Sequence, residues 1–136
     1  MEKQVAVAAG AWYQSTAVDR SRIMIYAVPR PGLSLDELGR HVDQVIKRLS
    51  VEGVSDAELR RAKTRLIADA VYAQDSQSML ARMYGSALAT GSTISDVQEW
   101  PHRIDAVTGE TIREAVREWL GAPGAVTGYL LKDEAA

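Results

Sequence analysis

The sequence contains no cysteine, which removes disulfides, thiol nucleophiles and thiolate metal ligands together while leaving the compartment open. Only two histidines are present, His41 and His102. Neither sign of charge dominates: 18 acidic side chains stand against 16 basic ones, a formal net charge of −2. That balance is too even to draw the chain to polyphosphate or anionic lipid, so neither nucleic acid nor a membrane surface is an expected partner. No run of about twenty apolar residues occurs, and the N-terminus has no basic stretch followed by a long apolar core. The expectation is therefore a soluble chain, periplasmic or cytoplasmic. The nucleophile elbow G-x-S-x-G and the phosphate-cradling patterns G-x-G-x-x-G and G-x-x-x-x-G-K are also missing, which leaves no signal for serine hydrolysis or nucleotide binding.

What is present reads as one domain over residues 1–136, long enough at 46% hydrophobic content to bury a core. Gln4 to Gln14 is rich in Val, Ala, Trp and Tyr, and in Ser21 to Val28 the residues Ile23, Ile25 and Ala27 alternate with Arg22, Met24 and Tyr26. These are the marks of two strands joined by the polar connection Ser15 to Asp19, with Pro29 to Gly32 ending the pair. From Ser34 the apolar period lengthens to that of a helix, through Leu35, Leu38, Val42, Val45 and Leu49, and Ser34 with Glu37 forms a capping box. A second box, Ser55 with Glu58, opens a longer helix with Leu59, Ala62, Leu66, Ala70 and Ala73 on its core stripe. Arg60, Arg61, Lys63 and Arg65 fall largely off that stripe and are expected in solvent.

A third helix is capped by Asp75 or Ser76 and stopped by Gly91. Ser95 with Gln98 is expected to begin a fourth that contains Trp100 and Pro101, the proline being tolerable only near its start or at a bend. The fifth spans Gly109 to Leu120, and Ala125 to Leu131 reads as a closing strand. The fold class predicted is α+β: a small antiparallel sheet covered on one face by about five helices. Three strands are few for five helices, so further strands are expected from outside this chain.

Candidate chemistry is sparse. A zinc site needs three or four ligands brought together, and the residues after His41 and His102 do not supply the inverted order H-x-x-E-H. Asp36, Glu37 and Asp43, and likewise Glu110, Glu114 and Glu118, sit at spacings ordinary for exposed helix faces. Asp69 and Asp75 flank an apolar stretch, with capping the better role for Asp75. Arg60, Arg61, Lys63 and Arg65 lack the interleaved aromatics of a nucleic-acid surface. No catalytic, cofactor-binding or metal residue is assigned.

The run Glu52 to Lys63 (EGVSDAELRRAK) resembles the segment that precedes and enters a long helix in the insulinase/pitrilysin-type zinc peptidases and the mitochondrial processing peptidases. Asp75-Ser76, Ala81, Tyr84-Gly85, Gly91, Ile104 to Thr108 and Trp119-Leu120 follow in an order and spacing similar to that family's, and Ile25 to Ser34 fits ahead of them. The resemblance covers roughly Val5 to Leu131, and only the ordered combination is specific. It implies the latter part of a non-catalytic C-terminal domain that completes a peptide-binding chamber, or its equivalent in an inactive partner subunit. Zinc would belong to a partner domain in the same or another chain, peptide is the candidate substrate, and this chain alone is expected to be inactive. Glu2 to Ala6 offers no tyrosine where active members place one of a substrate-contacting pair. The competing expectation is a stand-alone peptide-binding or self-assembly module of the same fold. In isolation a homodimer is expected, joined through the strand at Val5 to Gln14.

Overall fold

The computed structural model describes residues 5–121 and 123–131. Its first element is an antiparallel ribbon of β1 (Ala6–Tyr13) and β2 (Ile23–Pro29), with Gly10 opposite Tyr26 and Tyr13 opposite Ile23. The ladder runs one pair beyond the strands, where the Gln14 amide donates to the Arg22 carbonyl at 3.1 Å, so the expected hairpin stands with a longer connection. A register shift between Ala6 and Ala8 places a bulge at the start of β1. Gly10 is required by its neighbour: a Cβ there would lie 2.6 Å from the Tyr26 ring, which packs across the bare backbone.

Six helices follow, and their starts are chemically explicit. Ser34 caps α1 (Leu35–Glu52): the Glu37 amide donates to Ser34 Oγ at 3.2 Å, and the Ser34 amide donates to Glu37 Oε2 at 3.1 Å. Ser55 and Glu58 repeat this box at α2 (Asp56–Ala73). Of the two candidates for the third cap the structure selects Ser76, whose hydroxyl accepts from the Met79 amide at the head of α3 (Gln77–Ala89). Gly91, at φ +87°, ends α3 as expected. Its amide reaches back to the Leu88 carbonyl and that of Ser92 to Ala87, the paired bonds of a Schellman stop.

The fourth expected helix is two helices, α4 (Ile94–Gln98) and α5 (Trp100–Ala106), and its cap lies two residues earlier than Ser95. Thr93 and Asp96 form the box, at 3.1 Å and 2.8 Å, while the Ser95 hydroxyl turns instead to Glu99 Oε1 at 2.9 Å. The break at Glu99 follows from Pro101, which has no N–H to continue the first helix and sits well in the opening turn of the second. Arg103 bridges the bend, its guanidinium meeting both the Asp96 carboxylate, at 3.3 Å, and the Asp96 carbonyl.

The expected fifth helix has the anticipated extent but not a uniform winding. Thr108 caps α6 (Gly109–Ala115), which passes into a π-helical turn, Val116–Leu120. The Gly121 amide closes that turn on the Val116 carbonyl.

Two expectations fail on non-local grounds. Ala125 to Leu131 forms no strand: among the described residues β1 and β2 pair only with each other, and the segment runs beside the start of α1, where the Tyr129 hydroxyl approaches Gly39. Strand composition cannot supply the neighbouring edge that a strand requires. Leu66, placed on the core stripe of α2, is 43% exposed. Ala62 of the same expected stripe is exposed too, whereas Leu59, Ala70 and Ala73 are half-buried as expected, together with Lys63, Ile67 and Ala68; α2 packs on α5, where the Lys63 ammonium donates to the Asp105 carbonyl. Lys63, expected in solvent, is half-buried at this contact, and Leu66 lies away from it.

The helices associate in two groups. α1 packs against α6, the π turn and β2, whereas α2 packs on α5 and α3 on α4. Arg117 in the π turn donates from Nε to the Ser50 carbonyl at 2.7 Å and fixes the first group. Among the described residues the buried hydrophobic side chains are Leu38, Ala87 and Val116, and none is fully sealed from solvent. No helix of the described residues is long and apolar enough to cross a membrane.

Candidate functional site

The groups that carry hydrolytic chemistry are scattered. His41 is half-buried on α1 and His102 is exposed on α5. No group of three His, Cys, Asp or Glu side chains among the described residues is placed to hold a metal ion. The acids have local duties. Glu37 closes the α1 box, Glu110 pairs with Arg113 one turn on, and Asp69 lies 4.0 Å from Arg65 on the exposed face of α2. Asp75 is exposed beside the Ser76 cap.

The titrations that do move belong to caps. Hydrogen bonds from Ser34 hold the Glu37 carboxyl below its ordinary 4.5, those from Ser55 do the same for Glu58, and those from Thr93, aided by Arg103, lower Asp96 from 3.8. These shifts mark helix starts and not a catalytic centre.

Two shallow depressions are present. One, of about 460 Å³, is lined by Ala57, Arg60, Arg61, Thr64, Arg65 and Ala68 along the outer side of α2. The other, of about 330 Å³, lies between the first turn of α1 and the segment Ala125 to Leu131, with Tyr129 and Leu131 on its far wall. Neither encloses a ligand-sized volume lined by convergent polar groups, the usual mark of a small-molecule site.

The feature that stands out is apolar surface. The chain exposes 11112 Å², whereas a compact monomer of 14.8 kDa is expected to expose about 7,000 Å². Part of the exposed apolar surface lies on the ribbon. Alternation puts Trp12, Met24, Tyr26 and Val28 on one face and Tyr13, Ile23 and Ile25 on the other, and all seven are exposed. Arg22 is the polar side chain that covers part of this surface, its guanidinium lying 5.4 Å from the Trp12 ring centre. Val71 and Tyr72 at the end of α2, and Met79 and Leu88 on α3, are also exposed.

Sequence reasoning anticipated an uncovered edge at β1 but not two uncovered faces. The signal was available, because β1 and β2 contain no charged residue over their whole length, the pattern of strands buried on both sides.

Comparison with known proteins places this architecture. The chain superposes on a protease from Helicobacter pylori, known from its crystal structure, with a TM-score of 0.75 at 14% sequence identity. The match covers 85% of this chain and 28% of that one. This α+β arrangement is therefore also found as a part, about a quarter, of a protease chain. No family model matches the sequence, and no curated protein matches it.

Proposed function

We propose that this chain is a non-catalytic domain of an insulinase-type zinc peptidase, or of its inactive partner subunit, and that it forms part of the wall of a peptide-binding chamber. The observation that carries the proposal is the fold likeness to a protease of which this unit makes up little more than a quarter. The order of motifs from Ile25 to Leu120 supplies the particular family. The uncharged ribbon, open on both faces, is the surface such a wall would turn toward the rest of the enzyme, since apolar surface on this scale calls for a covering partner. The partner is a zinc-bearing peptidase domain in the same or another chain, and it holds the metal and the hydrolytic water. This chain contributes shape and apolar contact for an extended peptide and takes no part in bond cleavage.

Reconstitution tests this. The chain is co-purified with a polypeptide of the same genome that carries the inverted zinc motif, and cleavage of an internally quenched, unstructured peptide is followed with and without a chelator. The two together are expected to cleave in a chelator-sensitive manner, and neither alone. Full cleavage by the zinc-bearing polypeptide without this chain would overturn the proposal, as would stoichiometric zinc and peptidase activity in this chain by itself.

A further inference from the structure

The chain from Asp56 to Ala106 leaves one packed group and comes back to it. Before that excursion β1, β2 and α1 pack with one another, and after it α6 and the π turn rejoin the same group. Within the excursion α2 packs on α5, α5 on α4 and α4 on α3. The backbone therefore passes between two lobes twice, outward through Gly53 to Ser55 and back through Val107 and Thr108. Among the described residues no hydrogen bond or ion pair joins one lobe to the other.

Each lobe is fastened up to these links. In the first, the Arg117 guanidinium holds the Ser50 carbonyl at 2.7 Å, just ahead of Gly53. In the second, the Lys63 ammonium holds the Asp105 carbonyl, just ahead of Val107. Helix ends confine the free backbone still further. The Gly53 amide is bonded back to Leu49 in α1, whereas Ser55 is already tied to Glu58 in α2. On the return, the Val107 amide is bonded back to Ile104 in α5, and Thr108 is tied to Thr111 in α6. What lies between is Gly53-Val54 on one link and the Val107–Thr108 junction on the other.

The two links meet at their glycines. A Cβ on Gly53 would lie 3.8 Å from the Gly109 carbonyl oxygen, and a Cβ on Gly109 would lie 3.8 Å from that of Val54. Gly53 stands at φ 73°, ψ −154°, a conformation essentially confined to glycine, while Val107 and Thr108 are extended.

We infer that residues 53–54 and 107–108 form a two-link hinge about which the lobe α2 to α5 turns as a unit against the ribbon, α1, α6 and the π turn. Hinges are built from a few element-terminal residues that absorb backbone rotation while the packed bodies on either side stay whole. Bodies that share no large apolar interface move relative to one another by default. The attraction that does cross the links is weak: Glu58 is held below its ordinary value first by Ser55 and last by the Arg48 charge on α1, and both side chains are exposed. Turning at the links changes the angle between α1 and α2 and leaves the caps at Ser55 and Thr108 unbroken. The inference does not depend on the peptidase assignment, and its readout is a distance, not cleavage.

The cysteine-free sequence allows nitroxide labels to be placed in pairs at exposed positions of the full chain. Asp43→Cys with Arg65→Cys spans the hinge, Asp43→Cys with Glu118→Cys stays inside the first lobe, and Arg65→Cys with His102→Cys stays inside the second. Pulsed dipolar spectroscopy on frozen samples reads the spread of each distance. The pair across the hinge is expected to give a distribution about twice as wide as either pair within a lobe. Val107→Gly, which frees the return link, should widen that distribution further and leave the other two unchanged. A spread across the hinge as narrow as those within the lobes would overturn the inference, and so would equal broadening of all three pairs, which would mean that the lobes themselves are loose. A folded Val107→Gly chain with no further widening would likewise overturn it. If that variant loses its helical circular dichroism, the three widths without it decide the matter alone.

Discussion

The stretch from Ser34 to Leu120 and the segments on either side of it obey different rules. Between those residues, four of the six helix starts are settled by a capping box within four residues of sequence: Ser34 with Glu37, Ser55 with Glu58, Thr93 with Asp96 and Thr108 with Thr111. Outside it, β1 and β2 pair with each other across a short connection, but the cover of their faces, and any ladder for Ala125 to Leu131, would have to come from elsewhere. A helix satisfies its own backbone, whereas a strand does not. The same sequence can thus specify its helices almost completely while leaving its sheet undecided.

The largest expected effect sharpens the contrast within the helical part. Leu38 is 5% exposed and sits where α1 meets its neighbours. Leu38→Ala is expected to destabilise by about 3 kcal/mol, against less than about 1 kcal/mol for Leu66→Ala on α2. Equal denaturation midpoints for the two variants would show that the burial of Leu38 is not what holds the helices together.

In the ribbon, Gly10→Val forces the Tyr26 ring off the backbone it covers. A loss of about 1 kcal/mol is expected, the scale of a cross-strand pair, and most of it should disappear when Tyr26→Ala is already present. Full additivity in that double-mutant cycle would separate the glycine from the ring.

A subtler comparison concerns two hydroxyls two residues apart. Thr93→Ala should cost about 1 kcal/mol, the usual value of an N-cap, whereas Ser95→Ala should cost only a few tenths. The reverse order would restore the start at Ser95 that the sequence first indicates.

The smallest effect is a dependence on pH. Glu37, Glu58 and Asp96 have folded-state values lowered by their cap hydroxyls and amides. Their contribution is therefore complete above the ordinary carboxylate range, and it is lost as pH falls through that range toward the lowered folded values. Denaturation midpoints between pH 6 and pH 3 should fall less steeply in the triple variant Glu37→Gln, Glu58→Gln, Asp96→Asn than in the unmodified chain. Identical slopes would remove the caps as a source of acid sensitivity.

Sequence made the α+β class, the first hairpin, two capping boxes and the Gly91 stop legible because each depends on neighbours a few residues away. It mistook the cap at Ser95 because Thr93-Asp96 and Ser95-Gln98 are overlapping versions of one motif, and only the competing bond to Glu99 separates them. Leu66 was misplaced because periodicity describes a stripe without knowing which helix will lie against it. The strand at Ala125 to Leu131 has the right residues and lacks an edge. For the candidate site, the absence of charge in both ribbon strands pointed to apolar cover, but what covers them is a property of tertiary and quaternary contact.

The lysine at the α2–α5 contact has a consequence for covalent chemistry. An amine that donates to a carbonyl is less available as a nucleophile, and Lys63 is held in that way by Asp105, whereas Lys47 stands exposed on α1. Under a short pulse of an acylating reagent, Lys47 should be modified first and Lys63 should lag behind it. The lag should vanish when the end of α5 loosens, so Lys63 offers a native, site-specific clock for the opening of the α2–α5 contact that mass spectrometry can read without any substitution.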